Sequence, residues 1–286
     1  MTHLSIRTLG QAHIKMGDQQ AQFHSEPARE LFFYLLSFVE GRSKTEILRD
    51  LWGEEESPTV NNRFRVTLHR VRNALGTPDS IQEQYGRYRV SHEVLSQSDL
   101  YQFYIHLQLS EHHTGRERLK ILQQALSCYN GNYLEGFQQD WVFQAREEHK
   151  TAYVRALLEL SMLYCTEGQC EATVHALFRA LKSDPFIGEN YHQKLMTCLS
   201  VVEDRYAAIE HYRRFLHFLK NELQDTPMRD TVQLAERIKD GEAICKRLQN
   251  PGDTEPGMTD RCPFTSSGDC PGILQAEPFA DLPEFH

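Results

Sequence analysis

The chain has no apolar run long enough to cross a bilayer, and its first residues lack the basic stretch and apolar core of a secretion signal. Both absences point to a cytoplasmic protein with no membrane contact. No phosphate-binding loop, nucleophile elbow or metalloprotease helix occurs, so no catalytic residue and no enzyme activity is expected. The seven cysteines are Cys128, Cys165, Cys170, Cys198, Cys245, Cys262 and Cys270. An odd count without a secretion signal suits a reducing compartment, and most of them read as small buried apolar residues of helices. Cys262 and Cys270 differ, because they lie in a Pro- and Gly-rich tail after Asn250. No Cys-x-x-Cys pairing supports zinc there, and neither a metal nor a cofactor is expected. Positive charge is scarce: 31 Lys and Arg stand against 40 Asp and Glu, a net charge of −9. Long-range attraction to a polyanion is then weak or opposed, and any affinity for nucleic acid must come from a local patch.

Such a patch exists. Residues 61–91 carry six arginines against two acids. The spacing predicts a helix over 58–75, with Ser57 as N-cap, Pro58 at the first helical position and Gly76 ending it. At about 100° per residue, Val60, Phe64, Leu68, Val71 and Leu75 share one face. Asn62, Arg65, Val66, His69 and Asn73 share the opposite one, with Arg63, Arg70 and Arg72 on the flanks. Arg can bond guanine and Asn adenine in bidentate fashion, and Val66 can meet a thymine methyl. The flanking arginines suit phosphates, which position without reading sequence. The plainer alternative is the solvated face of an ordinary amphipathic helix.

Two helices precede this one. The first is expected over 27–39, with Leu31, Phe32, Leu35 and Leu36 on its apolar side. The second opens with the capping box Ser43-Lys44-Thr45-Glu46 and runs through Ile47, Leu48, Leu51 and Trp52. Three helices with short breaks, the last one basic, follow the order of a helix-turn-helix unit. Glu54, Glu55 and Glu56, in the second break, are expected to face away from DNA or toward a protein partner. Downstream, strands over 81–84 and 87–91 are joined by Tyr85-Gly86, which suits a tight hairpin. Arg87 and Arg89 then share one face. They can lie along a sugar-phosphate backbone, or simply guard a sheet edge. The first 24 residues alternate weakly and read as a small antiparallel sheet.

Strand signals vanish from about Asp99. Helices are expected over 99–108 and 117–129, then a compact turn over 131–137, then a long helix from Asp140-Trp141 to about Tyr164. Residues 169–181 and 204–216 resemble each other at an offset of 35: Ala172 pairs with Ala207, Val174 with Ile209, Leu177 with Tyr212, Arg179 with Arg214 and Leu181 with Leu216. A period near 34, with small residues at the helix crossing, is the tetratricopeptide pattern. A generic helical bundle is the alternative. His112-His113 reads as a solvated loop pair.

Together these stretches resemble the bacterial transcriptional activators of the antibiotic-regulatory-protein type. The resemblance is carried by ARELFFYLLSFVEGRSKTEILRDLWGEE, NNRFRVTLHRVRNALG and YGRYRV, and then by YNGNYLEGFQQDW, the run from AREEH, and AIEHYRRFLHFLKNEL. It implies an α+β winged helix-turn-helix over 1–95, an all-α tetratricopeptide-like bacterial transcriptional activator domain over 96–249, and a tail over 250–286. The tail is expected to be disordered, with Phe279, Leu282 and Phe285 available for docking. The resemblance further implies an activator that binds double-stranded DNA at direct repeats near promoters and contacts RNA polymerase. By motif match Asn62, Arg63, Arg65, Arg70 and Arg72 carry over to DNA contact, and Arg87 and Arg89 to the wing; Val66 and His69 join them from the helix face. A homodimer on DNA, and a peptide or small-molecule effector in the helical domain, are further expectations. The nucleotide-binding domain of the larger members and a receiver domain are both absent from the sequence. The competing reading is a tetratricopeptide adaptor whose N-terminal domain binds protein.

Overall fold

The computed structural model describes residues 4–21, 23 and 25–245. The tail over 250–286, with Cys262, Cys270, Phe279, Leu282 and Phe285, lies outside the described residues. Packing divides the described chain into two units. The first joins residues 4–109 to 124–151; the second joins 110–123 to 152–245. Residues 124–151 pack with residues 4–109 in the first unit.

The first unit begins with an antiparallel sheet of β1 (Leu4–Arg7), β2 (His13–Met16) and β3 (Gln19–Gln20), in that order. Ile6 lies opposite Ile14, and both are buried. The period of two in a strand puts them on the covered face. Helix α1 (Glu26–Ser37) follows, capped by the Ser25 hydroxyl. Its apolar run, Leu31 through Leu36, is buried on every side. Six consecutive apolar residues cover the whole circumference of a helix, so a single core-facing stripe does not describe it. The side not foreseen holds Phe33, whose ring meets Phe137 at 5.4 Å, and Tyr34, whose ring meets Trp141 at 5.4 Å.

After α1 come β4 (Arg42–Ser43), α2 (Lys44–Trp52), α3 (Pro58–Ala74), a 3-10 turn (Pro78–Ser80), and the hairpin β5 (Ile81–Gln84) and β6 (Arg87–Val90). The second sheet has the order β4-β6-β5. Two-residue β4 carries no pattern that would announce it. It is marked by Gly41, at φ +79°, where an added Cβ would lie 2.8 Å from the Tyr88 carbonyl oxygen. Glycine is what lets the chain pass this close to β6. A short helix α4 (His92–Leu95) leads to α5 (Asp99–Glu111), then α6 (Gly115–Cys128) and α7 (Asp140–Thr166).

Residues 130–146 close the first unit. Leu9 bridges to Tyr133 and Gln11 to Glu135, so extended pairing does not stop at Asp99 as the sequence suggests. Leu134 N–H donates to Thr8 O and Glu135 N–H to Gly10 O. The Arg146 guanidinium donates to the carbonyls of Tyr133, Leu134 and Phe137. Asp99 accepts from the amides of Thr8 and Leu9 and from the Thr8 hydroxyl. These bonds satisfy backbone groups that burial would otherwise leave unpaired.

In the second unit α8 (Cys170–Ser183), α9 (Glu189–Val202), α10 (Arg205–Phe218) and α11 (Arg229–Lys239) share one core. Helices α8 and α10 have 14 residues each and start 35 residues apart, matching the internal resemblance. Val174, Leu177, Ile209 and Tyr212 all pack with Leu195 and Met196 of α9. Ala172 and Ala207 are only half-buried; within α8 and α10 the buried alanines are Ala176, Ala180 and Ala208. Of the described cysteines only Cys198 is buried, and Cys128, Cys165, Cys170 and Cys245 are half-exposed. Helix membership alone does not place a thiol inside. His112 is exposed in a turn, as the sequence suggests, whereas His113 beside it is half-buried. Among the described residues no helix is long and apolar enough to cross a membrane.

Candidate nucleic-acid interface

Local chemistry fixes α3. The Ser57 hydroxyl accepts from Val60 N–H at 3.2 Å, Pro58 occupies the first turn, and Gly76 leaves the helix at φ +70°. Phe64, Thr67, Leu68 and Val71 are buried. The Phe64 ring meets Tyr88 at 5.0 Å and Trp52 at 6.5 Å, which seats the helix between α2 and the hairpin. Asn62, Arg65, His69, Arg70 and Asn73 are exposed, and Val66 is 41% exposed. An apolar side chain this open, in the middle of a polar face, is available for contact.

The arginines fall into two groups. Among the described residues Arg65, Arg70 and Arg89 make no ion pair and no hydrogen bond to a side chain. Arg63, Arg72 and Arg87 are engaged. The Arg63 guanidinium bonds Glu54 at 2.8 Å and lies 4.3 Å over the Trp52 ring. Arg72 Nη2 donates to Ile81 O at 2.8 Å, and its Nε is buried without a partner. Arg87 donates to Gly41 O through Nε at 3.2 Å and Nη2 at 2.8 Å, and stands 3.7 Å from Glu46. Arg72 thus ties α3 to the foot of the hairpin, and Arg87 ties β6 to the chain leading into β4.

Two acids of the break are also engaged. Glu54 holds Arg63, and Glu56 holds Lys44 at 2.7 Å and accepts from the Thr45 hydroxyl. Cations on both neighbouring helices thus engage Glu54 and Glu56, while Glu55 is exposed. The capping box of α2 is intact, with Ser43 Oγ accepting from Glu46 N–H and Glu46 accepting from Ser43 N–H. That amide, followed by the Ser43 hydroxyl and Arg42, holds the Glu46 carboxyl down at about 2.

The hairpin turn has φ +53° at Tyr85 and +74° at Gly86. Positive φ at both central residues matches the strand twist of a two-residue hairpin. Tyr85 is 95% exposed at the tip. The sequence places Tyr85 in the turn without marking it as a contact; the signal for one is an aromatic side chain in a turn position that ordinarily takes Asn or Gly. Among the described residues no group of His, Cys, Asp and Glu could hold a metal ion.

Residues 99–239 match the bacterial transcriptional activator domain family. No curated protein matches the chain. Among solved structures, Mycobacterium tuberculosis EmbR in complex with a low-affinity phosphopeptide is similar in fold. Its TM-score is 0.70 at 18% sequence identity, covering 87% of this chain and 68% of that one. The family match contains the segment from Tyr129 to Trp141 that carries the sequence resemblance. Residues 99–239 are thus similar to a bacterial transcriptional activator domain, which supports the resemblance of the sequence to the transcriptional activators of the antibiotic-regulatory-protein type.

Proposed function

We propose that the chain regulates transcription by binding double-stranded DNA in a sequence-specific manner through a winged helix-turn-helix. In this reading α2 and α3 are the helix-turn-helix, α3 enters the major groove, and β5–β6 is the wing. The observation that carries it is the open face of α3. Asn62, Arg65, Val66, His69 and Arg70 project from a helix whose other side is fixed in a core, and neither arginine has an internal partner. A rigid helix presenting unpaired arginines is what base-edge readout needs.

Arg63 can exchange the exposed Glu54 for a phosphate at little cost, since exposed pairs are weak. Arg72 and Arg87 act as positioning residues that set the wing, while Arg89 and Tyr85 face the backbone or minor groove. Residues 1–95 carry DNA recognition. Residues 96–249 form the tetratricopeptide-like activator part, which contacts RNA polymerase and offers a seat for a peptide or small-molecule effector. Binding as a homodimer to direct repeats would compensate for the acidic balance of the chain, because two patches then act together. The setting is the cytoplasm.

The test is genome-wide recovery of bound DNA, with Arg65→Ala/Arg70→Ala as control. A shared repeated motif, lost in the variant, is the expected result. Each arginine on a base edge should contribute about 1–3 kcal/mol to site discrimination. Equal recovery with the variant overturns the reading and favours the tetratricopeptide adaptor.

A further inference from the structure

The first unit contains a hollow of about 1020 Å³ between β2, β3, α1 and the last turn of α3. That volume is at the upper end for small-molecule sites. Ile14 and Phe33 form a buried apolar wall, with Met16 and Phe23 beside them. The described lining residues include no carboxylate, and Arg29 is their one permanent charge. Its guanidinium lies 5.7 Å over the Phe33 ring and 4.9 Å over the Phe137 ring. The ion partner of Arg29 is Glu26, at 3.1 Å, and the Glu26 side chain is 72% exposed. Such a pair holds the cation only weakly. A guanidinium backed by rings beside an apolar wall suits a flat apolar body that ends in an acid group. The acid takes two parallel hydrogen bonds from the guanidinium, and the flat body packs on the phenylalanines.

A second observation connects this hollow to α3. Asn73 lines it, and Asn73 Nδ2 also donates to His69 Nε2 at 3.1 Å. His69 stands one turn back on the open face. We infer that the hollow binds a planar aromatic carboxylate or sulfonate, and that the occupant draws the Asn73 amide away from His69. Asn73 is then the joint between an effector site and the exposed face of α3. The consequence for operator reading rests on the DNA-binding proposal above; the binding and the change at His69 do not.

The test uses the full chain and 1-anilinonaphthalene-8-sulfonate, an aromatic sulfonate whose emission rises in apolar surroundings. Three proteins are compared: wild type, Arg29→Ala, and Ala21→Trp, which fills the hollow and leaves Arg29 in place. Each is first shown to melt cooperatively. The expected result is one saturable site in wild type, about tenfold weaker in Arg29→Ala through loss of the charge-assisted bonds, and absent in Ala21→Trp. The imidazole NMR signals of His69, assigned with His69→Gln, should move along the same saturation curve. Non-saturable emission, equal affinity in both variants, or an unmoved His69 signal overturns the inference. Where Arg29→Ala does not fold, Ala21→Trp decides. Neither readout involves DNA, so failure of operator binding and failure of this site are distinguished.

Discussion

Lowering the pH from 7 to 5 should loosen the first unit through one side chain, His149. It is 6% exposed, stacks edge-on against Tyr133 at 4.6 Å, and shares a 2.6 Å hydrogen bond with the Tyr104 hydroxyl. Burial pulls its imidazole from the ordinary 6.5 down to about 3. The unfolded chain therefore takes up a proton near pH 6.5 that the folded chain refuses until about 3. Stability from this group is complete above 6.5 and falls as pH drops toward 3. Each pH unit costs about 1.4 kcal/mol, so the fall from 6.5 to 5 costs about 2 kcal/mol. A domain of total stability about 5–15 kcal/mol would register that clearly. Glu46, held at about 2, contributes its own acid loss only below its ordinary 4.5, so the window is not confused by it. His192 and His211 of the second unit are also depressed by burial, to about 3 and about 4. The probe must then be local, and it is: the two tryptophans, Trp52 and Trp141, both belong to the first unit. Urea titrations followed by tryptophan emission at pH 7, 6, 5.5 and 5 should show the loss in wild type and a much flatter profile in His149→Gln. Parallel profiles for the two proteins would refute the reasoning.

Other consequences follow from the geometry of the hairpin and of residues 124–151. Arg72→Ala should lower stability by about 1.5–3 kcal/mol, since a charged donor leaves a strand carbonyl. Arg65→Ala, on the open face, should change it by less than about 0.5 kcal/mol; equal effects in urea unfolding would remove the division of the arginines into two groups. Gly41→Ala should cost about 2 kcal/mol or more, from a positive φ and a Cβ placed against the Tyr88 carbonyl. A melting temperature unchanged from wild type would contradict the close approach of this segment to β6. The fragment 1–95 lacks Tyr133, Phe137 and Trp141, which cover α1. It should unfold without a sharp transition by Trp52 emission, whereas a sharp transition at the wild-type temperature would show that residues 124–151 are not needed.

What the sequence determined by itself is local. The Ser43–Glu46 capping box, the Ser57–Pro58 start of α3, the Tyr85-Gly86 turn and the 35-residue offset of α8 and α10 all appear where the pattern puts them. Caps and turns are decided by groups within about four residues of each other, and helix faces by a fixed angular step. For the same reason the open face of α3 was legible. Which arginines on and around that face remain unengaged was not. Arg87 reaches Gly41 across 46 positions, Asp99 reaches Thr8 across 91, and Ser37 reaches Tyr133 across 96. β4, the full burial of α1 and the ion pairs of Glu54 and Glu56 likewise depend on partners brought together only by the fold. Periodicity tells which way a side chain points. Only the packed chain decides whether something is there to meet it, because a hydrogen bond or ion pair needs its second group within about 3 Å.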